Sequence, residues 1–160
     1  MKLLLEAADP AELGGTGDAG ALLVVPERDL DGIVGRAAEL AERPAGLVFG
    51  LPATEAGLRA VRALAAGRHR TAVLGCPTPE AALAGARAGG GYLAPARAAS
   101  GKVAGDLVRK LASLLRTFDY KALVLVSAIR NLDDLADAAL AGAQAAGVSR
   151  DVAAQAARVR

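Results

Sequence analysis

The side chains able to do chemistry are few and scattered. Glu6 closes the first apolar run, Leu3–Leu5, where a carboxylate can serve as acid or base; its plain alternative is an exposed strand-end charge. Cys76 follows the run Thr71–Leu74, while the single histidine, His69, precedes it, so no base stands beside the thiol and a small buried cysteine is expected. Lys102 lies behind the Gly- and Ser-containing stretch Ala96–Gly101. An amine catalyst must be partly desolvated to be neutral near pH 7, so a solvated lysine or an anion contact stands against amine catalysis there. Arg130 follows the apolar run Ala122–Val126 and opens a helical stretch, which puts a cation and free backbone N–H groups at one place and suits phosphate. The alternative is an arginine paired to Asp133 or Asp134, and Ser127 can add a hydroxyl to either arrangement.

Composition excludes several other chemistries. One cysteine and one histidine give no metal-ligand spacing and no internal disulfide. No G-x-G-x-x-G follows a strand, and Gly89-Gly90-Gly91 precedes one, so no dinucleotide site and no cofactor are expected. Aromatic residues are 2% of the chain and the net charge is +2 with scattered basic groups, which argues against nucleic-acid binding. No apolar run approaches the ~18 residues of a membrane span. The start MKLLLEAADP is too soon acidic for a secretory signal, so no membrane partner and a cytoplasmic location are expected.

These residues are positioned by short apolar runs alternating with longer amphipathic ones. Leu3–Leu5, Ala21–Val25, Leu47–Leu51, Thr71–Leu74, Tyr92–Ala94, Ala122–Val126 and, weakly, Gln144–Val148 read as strands. Helices are expected over Leu30–Leu40, Glu55–Ala66, Pro79–Arg87, Val103–Leu115, Asn131–Gly142 and Asp151–Val159. Leu30, Ile33, Val34, Ala37 and Leu40 share one face of the first; Val103, Leu107, Leu111 and Leu114 or Leu115 share one face of the fourth. Hydrophobic residues are 53% of the 160, enough for a core built from Ala, Leu and Val, and nothing divides the chain, so residues 1–160 are expected to form a single domain. Strand and helix in alternation imply an α/β fold with parallel strands, doubly wound or barrel.

The stretch Gly46–Pro52 (GLVFGLP) followed by Thr54–Leu58 (TEAGL) resembles the segment of transaldolases and fructose-6-phosphate aldolases that reads V-V-K-V-P and then T-x-E-G-L. Further along, Ala72–Gly75, Tyr92–Pro95, Val124–Asn131 and Ala138–Ala143 resemble that family's motifs in the same order. The resemblance implies a TIM-type (β/α) barrel, shortened to about seven strands, and a place in carbohydrate metabolism. It also implies that chemistry sits where strands run out into helices. Lys2 and Lys121 precede strands and Lys110 is mid-helix, which leaves Lys102 as the lysine on that side.

Gly50 stands where the family's Schiff-base lysine should be, and without an amine no carbinolamine can form. A degenerate, non-catalytic member is therefore expected, holding phosphate or a phosphorylated sugar through Arg130, Ser127, Asn131 and Arg97. The alternatives are a divergent aldolase-like enzyme using Glu6 with Lys102, and an interaction subunit. The family's strand-one aspartate becomes Glu6, its strand-five threonine Cys76, its tyrosine after A-P Ala96, and its loop arginine Ala99, two residues from Arg97. Only Asp9–Gly20 joins the first two strands, so the family's first helix, second strand and second helix are missing, as is its long C-terminal helix. The first and second strands must then pair directly, or a second copy must cover the gap as a homo-oligomer.

Overall fold

The computed structural model describes residues 1–13, 20–26, 29–40 and 47–158. Seven strands run in chain order around a closed barrel: β1 (Lys2–Ala7), β2 (Gly20–Val24), β3 (Leu47–Pro52), β4 (Arg70–Cys76), β5 (Tyr92–Pro95), β6 (Leu123–Ile129) and β7 (Ala145–Val148). Every neighbouring pair is parallel, including β7 with β1, which closes the sheet. The first two strands do pair directly, from Leu4 opposite Gly20 to Ala7 opposite Leu23. Among the described strands the sheet has no open edge, so the edge that an oligomer was expected to cover is not there.

Six helices follow the strands: α1 (Leu30–Leu40), α2 (Glu55–Ala66), α3 (Pro79–Ala88), α4 (Gly105–Thr117), α5 (Leu132–Leu140) and α6 (Arg150–Arg158); a 3-10 turn, Pro10–Leu13, follows β1. Gly46, which precedes the expected third strand, and Val159, the end of the expected last helix, lie outside the described residues.

Strand alternation sorts the core into two sets. Leu4, Leu22, Val48, Ala72, Tyr92, Ala94, Leu125 and Ala145 fill the bore of the barrel. Their outward neighbours, among them Leu23, Phe49, Val73, Leu93, Val124 and Ala146, pack under the helices. The Tyr92 hydroxyl accepts a bond of 2.6 Å from Arg70 Nη2, whose guanidinium also lies 5.7 Å from the ring centre. This pair caps the bore at the N-terminal end of the strands.

Local chemistry starts the helices where the barrel needs them. Thr54 accepts from Gly57 N at 3.1 Å, Thr78 from Ala81 N at 3.3 Å and Asn131 from Asp134 N at 2.8 Å, each a side-chain cap on α2, α3 and α5. Gly57 has a second reason to be glycine: a Cβ there would overlap the Pro52 carbonyl, so α2 turns back directly onto the end of β3.

Two helices depart from expectation. Helix α4 starts two residues later than expected; Leu111 and Leu115 are buried as expected, while Val108 is buried in place of Leu107. Its N-cap, Ala104, offers no side-chain bond, so nothing in the local sequence marks the start. On α1, Ile33 is fully buried but Val34 is 39% exposed, so the inward face is narrower than expected; the side chains of Ala37 and Leu40 lie outside the described residues.

Strands β4 and β6 run past their expected ends because each contains a bulge. Register slips between Val73 and Cys76 in β4 and between Val126 and Ile129 in β6, and pairing resumes at Cys76 with Pro95 and at Ile129 with Val148. The bulge residue is left-handed in both: Gly75 at φ 73° and Ala128 at φ 55°.

Two substitutions test the packing. Gly57→Ala should lower unfolding free energy by about 3 kcal/mol, since the added carbon meets rigid backbone. Gly35→Ala, in an exposed turn of α1 with nothing within 4 Å, should raise it by about 0.5 kcal/mol. Urea unfolding midpoints of the two variants check both signs.

Candidate active site

The C-terminal ends of the strands gather Glu6 from β1, Gly50 from β3, Leu74 from β4, Ser127 and Ala128 from β6 and Gly147 from β7. Arg97 follows β5, and Arg130 follows β6. The sequence-predicted residues separate here into those that share the mouth and those that do not.

Gly50 faces the bore. A Cβ built on it would lie 2.7 Å from Leu74 Cδ1, 3.3 Å from Leu22 Cδ1 and 3.4 Å from the Leu23 carbonyl oxygen. A side chain at this position would therefore meet two leucine methyl groups at its first carbon.

Glu6 is half-buried, not the exposed strand-end charge that was one expectation. Its Oε2 accepts from Ala128 N at 2.7 Å. Burial raises its pKa above the ordinary 4.5, opposed by that N–H and by the positive charge of Arg97.

Arg97 is the most constrained cation of the mouth, its side chain only 21% exposed. Nη1 donates to the Gly101 carbonyl at 2.8 Å and to Asp134 Oδ2 at 3.4 Å. Nη2 donates to the carbonyls of Ser127, at 3.0 Å, and Ala128. Its Nε is buried without a partner among the described residues.

Arg130 approaches the same aspartate from the other side. Its Nε donates to Asp134 Oδ2 at 3.0 Å and its backbone N–H to the same oxygen at 3.3 Å. The Arg130 side chain is 55% exposed, and a Cβ on Gly101 would lie 3.4 Å from its Nη1, so the loop before α4 passes under it. Asp134 is itself buried, and the hydrogen bond from Arg130 holds its pKa below the usual 3.8. The pairing of Arg130 with an aspartate, one of the two sequence expectations, is thus present. Two guanidinium groups share one carboxylate, and the Glu6 carboxyl lies close enough for the charge of Arg97 to act on it.

Asn131 is exposed and its Oδ1 is committed to capping α5. Ser127 brings its carbonyl to the site. Lys102 is exposed, in the loop whose Ala98 N–H donates to the Lys102 carbonyl at 3.1 Å. Cys76 is outside the mouth, in the layer under the helices; burial raises its thiol to about 11, which leaves it un-ionised. Among the described residues no group of three His, Cys, Asp or Glu side chains is arranged to hold a metal ion. Sequence reasoning missed the depth of Arg97 and the role of Gly147, both set by contacts between distant strands; alternation along β7 was the available signal for Gly147.

A closed ring of parallel strands with its polar groups collected at their C-terminal ends is the architecture of the TIM-type α/β barrels. A solved mandelate oxidase structure shares the fold, with a TM-score of 0.58 at 18% identity over 84% of this chain and 51% of that one. No protein-family profile matches the chain. Curated relatives do: probable transaldolases of Geotalea daltonii (29% identity over 92% of this chain and 70% of the relative), Exiguobacterium sibiricum (31%, over 85% and 65%) and Roseiflexus castenholzii (35%, over 74% and 56%). These likenesses support a transaldolase-like family, and the chain spans between 56% and 70% of the length of these relatives.

Two predictions come from this geometry. Gly50→Ala should cost about 1 kcal/mol, because Leu74 must shift, and should cost less in a Leu74→Ala background; equal costs in both backgrounds would show that the bore is not tightly filled there. The second concerns pH. A carboxyl whose folded pKa is raised binds its proton more tightly folded than unfolded, so its contribution to stability is present below the unfolded value of 4.5 and is lost as pH rises through the folded value. Glu6→Gln should therefore flatten the decline in stability above pH 4.5, as read from unfolding midpoints across pH.

Proposed function

We propose that residues 1–160 act as one transaldolase-family domain that holds a phosphorylated sugar, or phosphate itself, at the arginine rim and does not carry out Schiff-base chemistry. The observation behind the second half is Gly50 itself: it supplies no amine, and a first side-chain carbon there would already meet Leu74 and Leu22. The observation behind the first half is the pair of arginines at Asp134, of which Arg97 is committed to backbone carbonyls while Arg130 turns outward. Arg130 keeps more than half of its side chain in solvent, so an anion can reach it without dismantling the ion pair. The Asn131 side-chain amide is exposed beside it, on the residue that caps α5.

A cytoplasmic setting suits a domain of carbohydrate metabolism, and among the described residues no helix is long and apolar enough to cross a membrane. Self-association through an open sheet edge has no support, so any homo-oligomer would form through helix faces.

One observation favours a second reading, a divergent lyase or transferase. Glu6 is half-buried in the mouth with a raised pKa, which is the condition of an acid–base carboxylate. Lys102, exposed in its loop, does not strengthen that reading.

Borohydride reduction with a ketose phosphate, followed by mass spectrometry, should leave the protein mass unchanged; an adduct would end the proposal's second half. Titration with orthophosphate and with the ketose phosphate, followed by calorimetry, should show saturable binding that Arg130→Ala weakens by about tenfold. Absence of binding to the unaltered protein would end the first half. Turnover of the ketose phosphate that is lost in Glu6→Gln would instead establish the second reading.

A further inference from the structure

Strands β1 and β6 are not neighbours; β7 lies between them. Yet Glu6 of β1 accepts a hydrogen bond from the backbone of Ala128 on β6. The carboxylate crosses β7 at Gly147, where a Cβ would overlap Glu6 Oε2 and meet Leu22 Cδ2 at 3.2 Å. The passage exists because β7 carries glycine at its inward position beside Glu6.

What the carboxylate reaches is a strained residue. Ala128 sits in the left-handed region at φ 55°, a conformation that costs a residue with a Cβ roughly 1 kcal/mol. The matching bulge on β4 uses Gly75, which adopts φ 73° freely. The two strands share a burial pattern over their last six residues, so the same device is built once with glycine and once with alanine. The alanine version carries a side-chain acceptor on its N–H, and that bond offsets the strain.

The consequence lies one peptide away. The carbonyls of Ser127 and Ala128 both accept from Nη2 of Arg97. Two successive carbonyls of a regular strand point in opposite directions across the sheet, and the bulge is what turns both toward one guanidinium. Arg97 in turn shares Asp134 with Arg130.

We propose that Glu6 is the positioning residue of the arginine rim: by holding Ala128 left-handed through its N–H, it presents two backbone carbonyls to Arg97 and thereby fixes where Arg97 and Arg130 meet Asp134. Its bearing on ligand binding rests on the anion reading of that rim, but the positioning role itself does not. Glu6 acts through the backbone of β6 and needs no contact with a ligand.

The test reads the rim directly. In 1H–15N spectra of the full chain, Glu6→Leu should speed amide exchange at residue 128 by about tenfold and displace the Arg97 Nε–H resonance. Glu6→Gln keeps an acceptor of the same length and should leave both readouts within about twofold of the unaltered protein. Adding Ala128→Gly to Glu6→Leu should return the Arg97 resonance to its original position, since glycine holds the bulge unaided. Should Glu6→Leu fail to fold, Gly147→Ala, which blocks the passage, must produce the same exchange at residue 128. Unchanged protection at residue 128 in Glu6→Leu or Gly147→Ala overturns the proposal, as does an Arg97 resonance that Ala128→Gly leaves displaced. Orthophosphate titration of the same variants separates the two readings: if the unaltered protein binds no phosphate while the amide and Arg97 readouts respond as expected, the anion reading fails and the positioning role stands.

Discussion

Closure of the sheet by seven strands governs the rest of the molecule. Barrel diameter grows roughly in proportion to strand number, so a seven-strand ring has a narrow bore that must be filled from its own inward positions. The inward residues follow from that: Ala72, Ala94 and Ala145 stand beside Leu4, Leu22, Val48 and Leu125, and Gly50 and Gly147 stand nearer the mouth. Direct pairing of β1 with β2 removes the open edges among the described strands, and Leu22 reaches the Gly50 position from the neighbouring strand β2.

Electrostatics at the mouth is arranged around the backbone of β6. Glu6, the two arginines and Asp134 all meet that strand or the residues just beyond it. Asp134 is buried and accepts from two guanidinium groups, so removing either arginine leaves a buried carboxylate with fewer donors. Arg97 is tied to three carbonyls as well, which makes it part of the scaffold, while Arg130 reaches outward. One cation holds the loop before α4 against β6, and the other is placed by it.

Much of the barrel was legible in the sequence because parallel strands buried on both faces leave short apolar runs, and Thr54 marks the turn out of β3. The start of α4 was misread because Ala104 gives no capping signal, and Val108 was missed because Leu107 beside it fits the helical period with Leu111 equally well. The bulge on β6 was invisible for a different reason: Ser127-Ala128 contains no glycine to betray a left-handed residue. The candidate site was legible in composition but not in arrangement. Arg130 and Asp134 are four residues apart and readable as a helical pair. Arg97 and Asp134, or Glu6 and Ala128, come together only once the sheet closes, and no local pattern encodes them.

On the proposed reading, covalent chemistry and anion binding occupy separate parts of the barrel, and physical chemistry treats them differently. An amine in the bore must be held desolvated and neutral, which opposes stability; leucine side chains in the same place are buried favourably. On that reading, a glycine at position 50 spares the fold this cost. The rim offers no such relief. Its cations are bound to backbone carbonyls and to a buried carboxylate, so deleting one strands the partners of the other. A transaldolase-like barrel released from its reaction is then expected to fill its bore and keep its rim, and Gly50 beneath Leu74, with Arg97 and Arg130 on Asp134, is that arrangement.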